Sequence, residues 1–70
     1  MLRDKIEYIV MLISAFACRN HISHSLAYRY LSDYKGIELC EQHYGILHTL
    51  SLEDGLNAIS TYCRKHGGNL

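Results

Sequence analysis

The shortness of the chain is the feature that most restricts its fold. Seventy residues can form one hydrophobic core but not two, because chains of this size bury only about 60% of the surface that they expose when unfolded. We therefore expect a single domain over residues 1–70. A core this small rarely leaves more than ~3–5 kcal/mol of net stability, so a disulfide, a metal ion or a partner chain is expected to add to it.

The charge balance and the cysteines restrict the partner and the compartment. Seven Lys and Arg residues balance seven Asp and Glu residues, so no overall field attracts nucleic acid or anionic lipid. No apolar run is long enough to cross a bilayer. Three widely spaced cysteines favour a reducing compartment, and the expected location is the cytoplasm. A lipoprotein-type leader ending at Cys18 is a weaker interpretation, because Asp4 and Glu7 interrupt it.

The first part of the chain predicts a long helix from Leu2 to about Asn20. The residues expected to face the core recur at helical spacing, and they are Ile6, Ile9, Val10, Ile13, Phe16 and Ala17. Further apolar residues lie outside that face, namely Tyr8, Met11, Leu12 and Ala15. Because this helix is apolar on nearly every side, we expect another chain to cover part of it.

Cap and turn residues predict two helices after the first. Ser23 is a candidate N-cap for the second helix, and Gly36 is expected to end that helix in the left-handed conformation. A short third helix is predicted from Ile37 to about Tyr44, ending at Gly45. An extended link is expected over residues 46–50, with a short strand as the alternative.

A final helix is predicted to begin after Ser51, since Glu53 and Asp54 follow this serine in a pattern that resembles a capping box. Its buried face is expected to contain Leu52, Leu56, Ile59, Tyr62 and Cys63. The chain contains no proline, which suits helices. The expected fold is all-α, a small bundle of four helices or of three helices and a turn.

Every cysteine is followed three residues later by a histidine. The pairs are Cys18 with His21, Cys40 with His43, and Cys63 with His66. Two such pairs would provide the ligands of a Cys2His2 zinc site. Each pair also falls at the end of a predicted helix, where a small apolar residue completes the core face and a histidine suits the negative end of the helix dipole. The second interpretation accounts for all three pairs, so no metal ion or other cofactor is expected.

Two further activities are weakly supported. His43 and His48 are suitable as acid and base, but no nucleophile and carboxylate accompany them in a recognisable arrangement. The chain is therefore not expected to be an enzyme. The second and third helices resemble a helix-turn-helix, yet the would-be reading helix carries Glu38 and Glu41 and no Lys or Arg, which disfavours DNA.

The tyrosine-rich helices favour a role in protein binding. Tyrosine buries much area at an interface for a small loss of side-chain entropy. The candidate contact residues are Tyr8, Met11, Tyr28, Tyr30 and Tyr34, with ordinary core packing as the alternative for the same residues. The expected partner is another protein, a second copy of the chain, or both.

The order of these features resembles a family of short bacterial domains of unknown function. The matching segments include Ile6–Val10 and Asn20–Ser23, and the most specific one runs from Gln42 to Thr49. Within that segment the motif aromatic-x-x-Leu-His-Thr falls on Tyr44, Leu47, His48 and Thr49. Members of this family are commonly encoded beside a protein that resembles an ADP-ribosyltransferase, so the resemblance implies an antitoxin-like or accessory partner without catalytic residues.

Overall fold

The structure is a computed structural model that describes the backbone of residues 2–70 and the side chains from Asp4 onward. Met1 and the side chains of Leu2 and Arg3 lie outside the described residues. The helices are α1 (Leu2–Asn20), α2 (His24–Asp33), α3 (Gly36–Gln42), α4 (Tyr44–Leu47) and α5 (Leu52–Lys65). Over residues 2–70 there is no strand, which confirms the all-α prediction. None of these helices is both long enough and apolar enough to cross a membrane.

One hydrophobic cluster joins all five helices. Its buried members are Leu12, Phe16, Ala17, Ala27, Tyr30, Leu31, Cys40, Leu47, Leu56, Ile59 and Cys63. Phe16 is fully buried and stacks on Tyr30, with ring centroids 5.5 Å apart. Burial of one such aliphatic or aromatic side chain stabilises the fold by ~1.5–3 kcal/mol, so these contacts hold the short helices together.

The inward face of α1 is rotated from the predicted one. Phe16 and Ala17 are buried as expected, but Ile6 and Val10 are 59% and 57% exposed, and Leu12 is buried instead. The prediction for Ile6 and Val10 was therefore wrong. The reason is that α5 approaches α1 on the side of Leu12, whose Cδ2 lies 4.0 Å from the position that a Cβ on Gly55 would take.

The end of α2 differs by one residue from the prediction. Ser23 is the N-cap as expected, since its Oγ accepts a hydrogen bond from the Leu26 N–H at 3.1 Å. Lys35, with φ of 70°, takes the left-handed conformation predicted for Gly36, and Gly36 begins α3. A Cβ on Gly36 would lie 2.8 Å from Leu31 Cδ2 and 2.9 Å from Cys63 Sγ. Glycine is therefore needed here because no side chain fits.

The segment after α3 is helical rather than extended. The predicted helix from Ile37 to Tyr44 ends at Gln42, and the next helix, α4, begins at Tyr44 and contains Gly45. Beyond α4 the backbone continues in tight turns, and the Leu50 N–H donates to the Leu47 carbonyl at 3.1 Å. The prediction of an extended link over residues 46–50 was wrong, because these backbone groups bond to each other within the turn.

The start of α5 follows the prediction at its cap but not on its buried face. Ser51 Oγ accepts from the Asp54 N–H at 3.1 Å. Leu52 is 46% exposed, whereas burial on α5 begins at Gly55 and continues with Leu56. The expectation that Leu52 faces the core was wrong, because the first turn of α5 precedes the point where α1 lies against it.

The chain after α5 folds back onto the core. Gly67 takes a φ of 103°, and the Gly68 N–H then donates to the Cys63 carbonyl at 2.9 Å, as in a glycine-ended helix. The Leu70 N–H donates to the Tyr30 hydroxyl at 2.9 Å. The last residues therefore cover one edge of α2.

Candidate functional site

The segment with the most specific motif forms α4 together with its C-terminal cap. His48 Nδ1 lies 2.8 Å from the Tyr44 carbonyl oxygen, which only accepts, so Nδ1 carries the hydrogen. Thr49 Oγ1 donates to the Ile46 carbonyl at 2.6 Å. Leu47 is 5% exposed and joins the core. The side chains of His48 and Thr49 thus add second hydrogen bonds to carbonyls that already accept from the backbone N–H groups of the same two residues, at the end of a helix that is too short to be stable by itself.

Tyr44 also lies at the centre of an aromatic cluster. Its ring stacks on His48, with centroids 4.5 Å apart and an interplanar angle of 13°. Its ring meets Tyr8 of α1 edge to face at 5.5 Å. Burial raises the pKa of the Tyr8 hydroxyl, and the neighbouring Cys40 and Tyr44 raise it further. The Tyr8 hydroxyl is therefore neutral at physiological pH. The contact between the Tyr8 and Tyr44 rings holds α4 against α1.

Three aliphatic side chains that lie close to Tyr44 and His48 in the sequence are exposed. Ile46 is 67% exposed, Leu50 is 40% exposed and Leu52 is 46% exposed. We call these three residues the α4–α5 corner. Sequence reasoning missed this surface because it placed Ile46 and Leu50 in a link and Leu52 in the core. The available signal was three aliphatic residues close together in a segment without helical or strand periodicity.

A second apolar surface lies on α1. Ile6 and Val10 are one helical turn apart and are 59% and 57% exposed, and we call these two residues the α1 face. Met11 is 45% exposed and lies about 100° further around the helix. The surplus apolar surface expected on the first helix is therefore present. Met11 was predicted to lie outside the core face, whereas Ile6 and Val10 were predicted to lie within it.

The five candidate contact residues lie in different environments. Tyr30 is buried, Tyr8 and Tyr34 are half-buried, and only Met11 and Tyr28 are largely exposed. The Tyr30 ring packs between Phe16 and Tyr34. Tyr30 thus serves the core of this chain and cannot reach a partner, which corrects its expected role as a contact residue.

The three histidines of the Cys/His pairs share one kind of position. His21, His43 and His66 are exposed, and each directly follows the last residue of a helix. His66 Nδ1 lies 2.8 Å from the Tyr62 carbonyl, and the two rings are 4.3 Å apart. The end of α5 therefore repeats the Tyr–His cap of α4.

The three cysteines do not share one environment. Cys40 and Cys63 are buried, whereas Cys18 is exposed and does not complete the core face. Burial raises the pKa of the Cys40 thiol to about 12, with smaller contributions from Cys63 and Glu41. Burial also raises the pKa of Cys63, against the opposing effect of a hydrogen bond from the Gly36 N–H. Among the described residues, no three His, Cys, Asp or Glu side chains are grouped so as to hold a metal ion.

Comparison with known proteins places the chain in a family. No curated protein and no solved structure matches it. The family described as "Protein of unknown function (DUF3791)" matches residues 7–66. This range runs from α1 to the end of α5 and includes the α4 motif with its cap. Because the match covers most of the chain, the protein belongs to the DUF3791 family.

Proposed function

We propose that this protein is a protein-binding module without catalysis of its own, which docks another protein or a second copy of itself. The observation that carries the proposal is the α1 face. Ile6 and Val10 are 59% and 57% exposed on a helix whose other side supplies Leu12 and Phe16 to the core. Covering one such aliphatic side chain stabilises a complex by up to ~1.5–3 kcal/mol, so a partner that covers both residues gains from binding there.

The resemblance described above supports a particular partner. Proteins of this kind are commonly encoded beside an ADP-ribosyltransferase-like protein, and an antitoxin-like or accessory role in binding that neighbour is the proposed biological function. The proposed location is the cytoplasm, where Cys18, Cys40 and Cys63, which are unpaired in the structure, remain reduced.

The test is co-purification with an ADP-ribosyltransferase-like protein, the neighbouring protein that the resemblance implies. Wild-type protein is compared with the double variant Ile6→Ser, Val10→Ser. The matched control is Leu26→Ser, because Leu26 is an aliphatic residue of α2 that is 52% exposed. We expect the α1 variant to weaken binding at least about tenfold, which corresponds to ~1.4 kcal/mol, and the control to bind as the wild type does.

Sedimentation of the isolated protein tests the homodimer in the same set of variants. A dimer that becomes monomeric only in the α1 variant supports self-association through the α1 face. A protein that stays monomeric at high concentration and does not bind the neighbouring protein would contradict the proposed function. Far-UV circular dichroism of each variant establishes that the helices have been retained.

A further inference from the structure

We infer that the α4–α5 corner is a docking surface for a basic amphipathic segment of a partner protein, in which aliphatic side chains are flanked by lysine or arginine. The inference rests on the proposed protein-binding function. It adds a second surface to the α1 face and states the chemistry of the segment that this surface accepts.

Hydrogen bonds hold the backbone that carries the apolar residues of the corner. Ile46 and Leu50 are 67% and 40% exposed, in two overlapping turns closed by the Thr49 N–H bond to the Ile46 carbonyl and the Leu50 N–H bond to the Leu47 carbonyl. Leu52 follows in the first turn of α5 and is 46% exposed. Three exposed aliphatic side chains thus lie within seven residues of the chain, and exposed apolar side chains of this kind are what partner segments cover.

The charged residues that adjoin the corner in the sequence are acidic. Glu53 and Asp54 directly follow Leu52 and are exposed. Neither forms a salt bridge with a residue that the structure describes. From Gly36 to Cys63 the sequence contains four acidic residues and neither Lys nor Arg. A segment that covers the corner therefore meets negative charge, which favours lysine or arginine on its flanks.

The same charges argue against a second copy at this surface. In a two-fold dimer the same surface patch of both copies is buried, so the two copies bring identical charges to the interface. A dimer centred on the corner would bury Glu53 and Asp54 of both chains in one interface, and residues 36–63 contain no Lys or Arg to pair with them, which opposes association. The acidic rim therefore favours a different, basic partner, while the α1 face carries no such restriction.

The probe for this inference is a pair of designed helical peptides of about five turns. One is an amphipathic Leu/Lys peptide, and the other has the same pattern with Glu in place of Lys. Binding is followed by fluorescence anisotropy, and the contact surface is mapped from amide shifts of the ¹⁵N-labelled protein. We expect the Leu/Lys peptide to shift residues 46–54 and to bind at least about tenfold more tightly than the Leu/Glu peptide.

Variants separate the apolar from the electrostatic contribution. Ile46→Ser with Leu50→Ser should weaken Leu/Lys binding at least about tenfold. Glu53→Gln with Asp54→Asn should weaken it about threefold or more and reduce its salt dependence, because rim charges act mainly on association and are screened by salt. The matched control is Leu26→Ser, which should leave binding unchanged.

Several results would overturn the inference. These are equal binding of both peptides, no binding of either, shifts spread over α2, an equal loss in the Leu26→Ser control, or a dimer that Ile46→Ser converts to monomers. If the α1 variant alone loses the natural partner and the corner variants retain it, the proposed function stands and only this inference fails.

Discussion

Replacing Gly36 with alanine tests the packing between α3 and α5 most directly. An ideal Cβ at this position would lie 2.8 Å from Leu31 Cδ2, 2.9 Å from Cys63 Sγ and 3.3 Å from the Leu31 carbonyl oxygen. Ordinary contacts between such atoms are about 3.5–4.0 Å. Since Gly36 and Cys63 are buried, the added methyl group has no free space to occupy.

The expected magnitude follows from two opposing contributions. Forcing one extra methyl group into a packed core costs ~1–3 kcal/mol. Alanine favours a helix over glycine by up to ~1 kcal/mol, and this gain is smaller for Gly36 because it is the first residue of α3. We therefore expect a net loss of ~1–2 kcal/mol in the free energy of unfolding, which lowers the melting temperature of a domain this small by about 5–15 °C.

Urea unfolding followed by circular dichroism measures this loss. Gly45→Ala is the matched control, because a Cβ on Gly45 meets nothing within 4 Å, and we expect it to stabilise α4 by up to ~1 kcal/mol. Cys63→Ala removes the obstructing sulfur at 2.9 Å, so the double variant with Gly36→Ala should be more stable than the sum of the two single effects. Strict additivity, or a Gly36→Ala protein as stable as the wild type, would refute the reasoning.

Three further predictions concern a strained residue, a helix cap and a buried thiol. Lys35 has a φ of 70°, so Lys35→Gly should raise the free energy of unfolding by ~0.5–1 kcal/mol. Lys35→Ala keeps the backbone strain and should not raise it. Equal urea midpoints for the two variants would contradict this. His48→Ala removes the side-chain hydrogen bond to the Tyr44 carbonyl, which should lower the free energy of unfolding by ~0.5–1.5 kcal/mol and speed amide exchange at the end of α4. His43→Ala removes no side-chain cap bond and should change neither quantity. The pKa of Cys40 is raised from 9.0 to about 12, so above pH 9 the unfolded chain loses a proton that the folded chain keeps. The free energy of unfolding should therefore fall by up to ~1.4 kcal/mol per pH unit up to about pH 12. In unfolding curves recorded at alkaline pH, Cys40→Ala should make this decline less steep.

The helix caps were predictable from sequence, but the use of Gly36 was not. Ser23 and Ser51 cap their helices through neighbours three residues away, so the signal is local. A glycine after a helix has two uses, a positive φ or the lack of a Cβ. The space beside Gly36 is filled by Leu31 and by the sulfur of Cys63, and Cys63 is distant in the chain. Local pattern alone therefore placed the left-handed residue one position too late.

The candidate surfaces show a similar limit. The first helix was correctly expected to carry surplus apolar residues, but a helix that is apolar on nearly every side does not reveal which side its neighbours cover. The approach of α5 beside Leu12 leaves Ile6 and Val10 exposed. The motif residues were identified from sequence. Their hydrogen bonds to the backbone of α4 were not predicted, because this segment was expected to be an extended link and these bonds require a helix.

The caps of α4 have a consequence for the speed of recognition. Because His48 and Thr49 close this helix through their own side chains, the backbone beneath the α4–α5 corner holds its shape before any encounter. An incoming segment then loses less free energy to ordering of the backbone at this surface, which is the advantage of preorganised binders. Association should follow single-step kinetics whose rate rises linearly with the concentration of the binding partner.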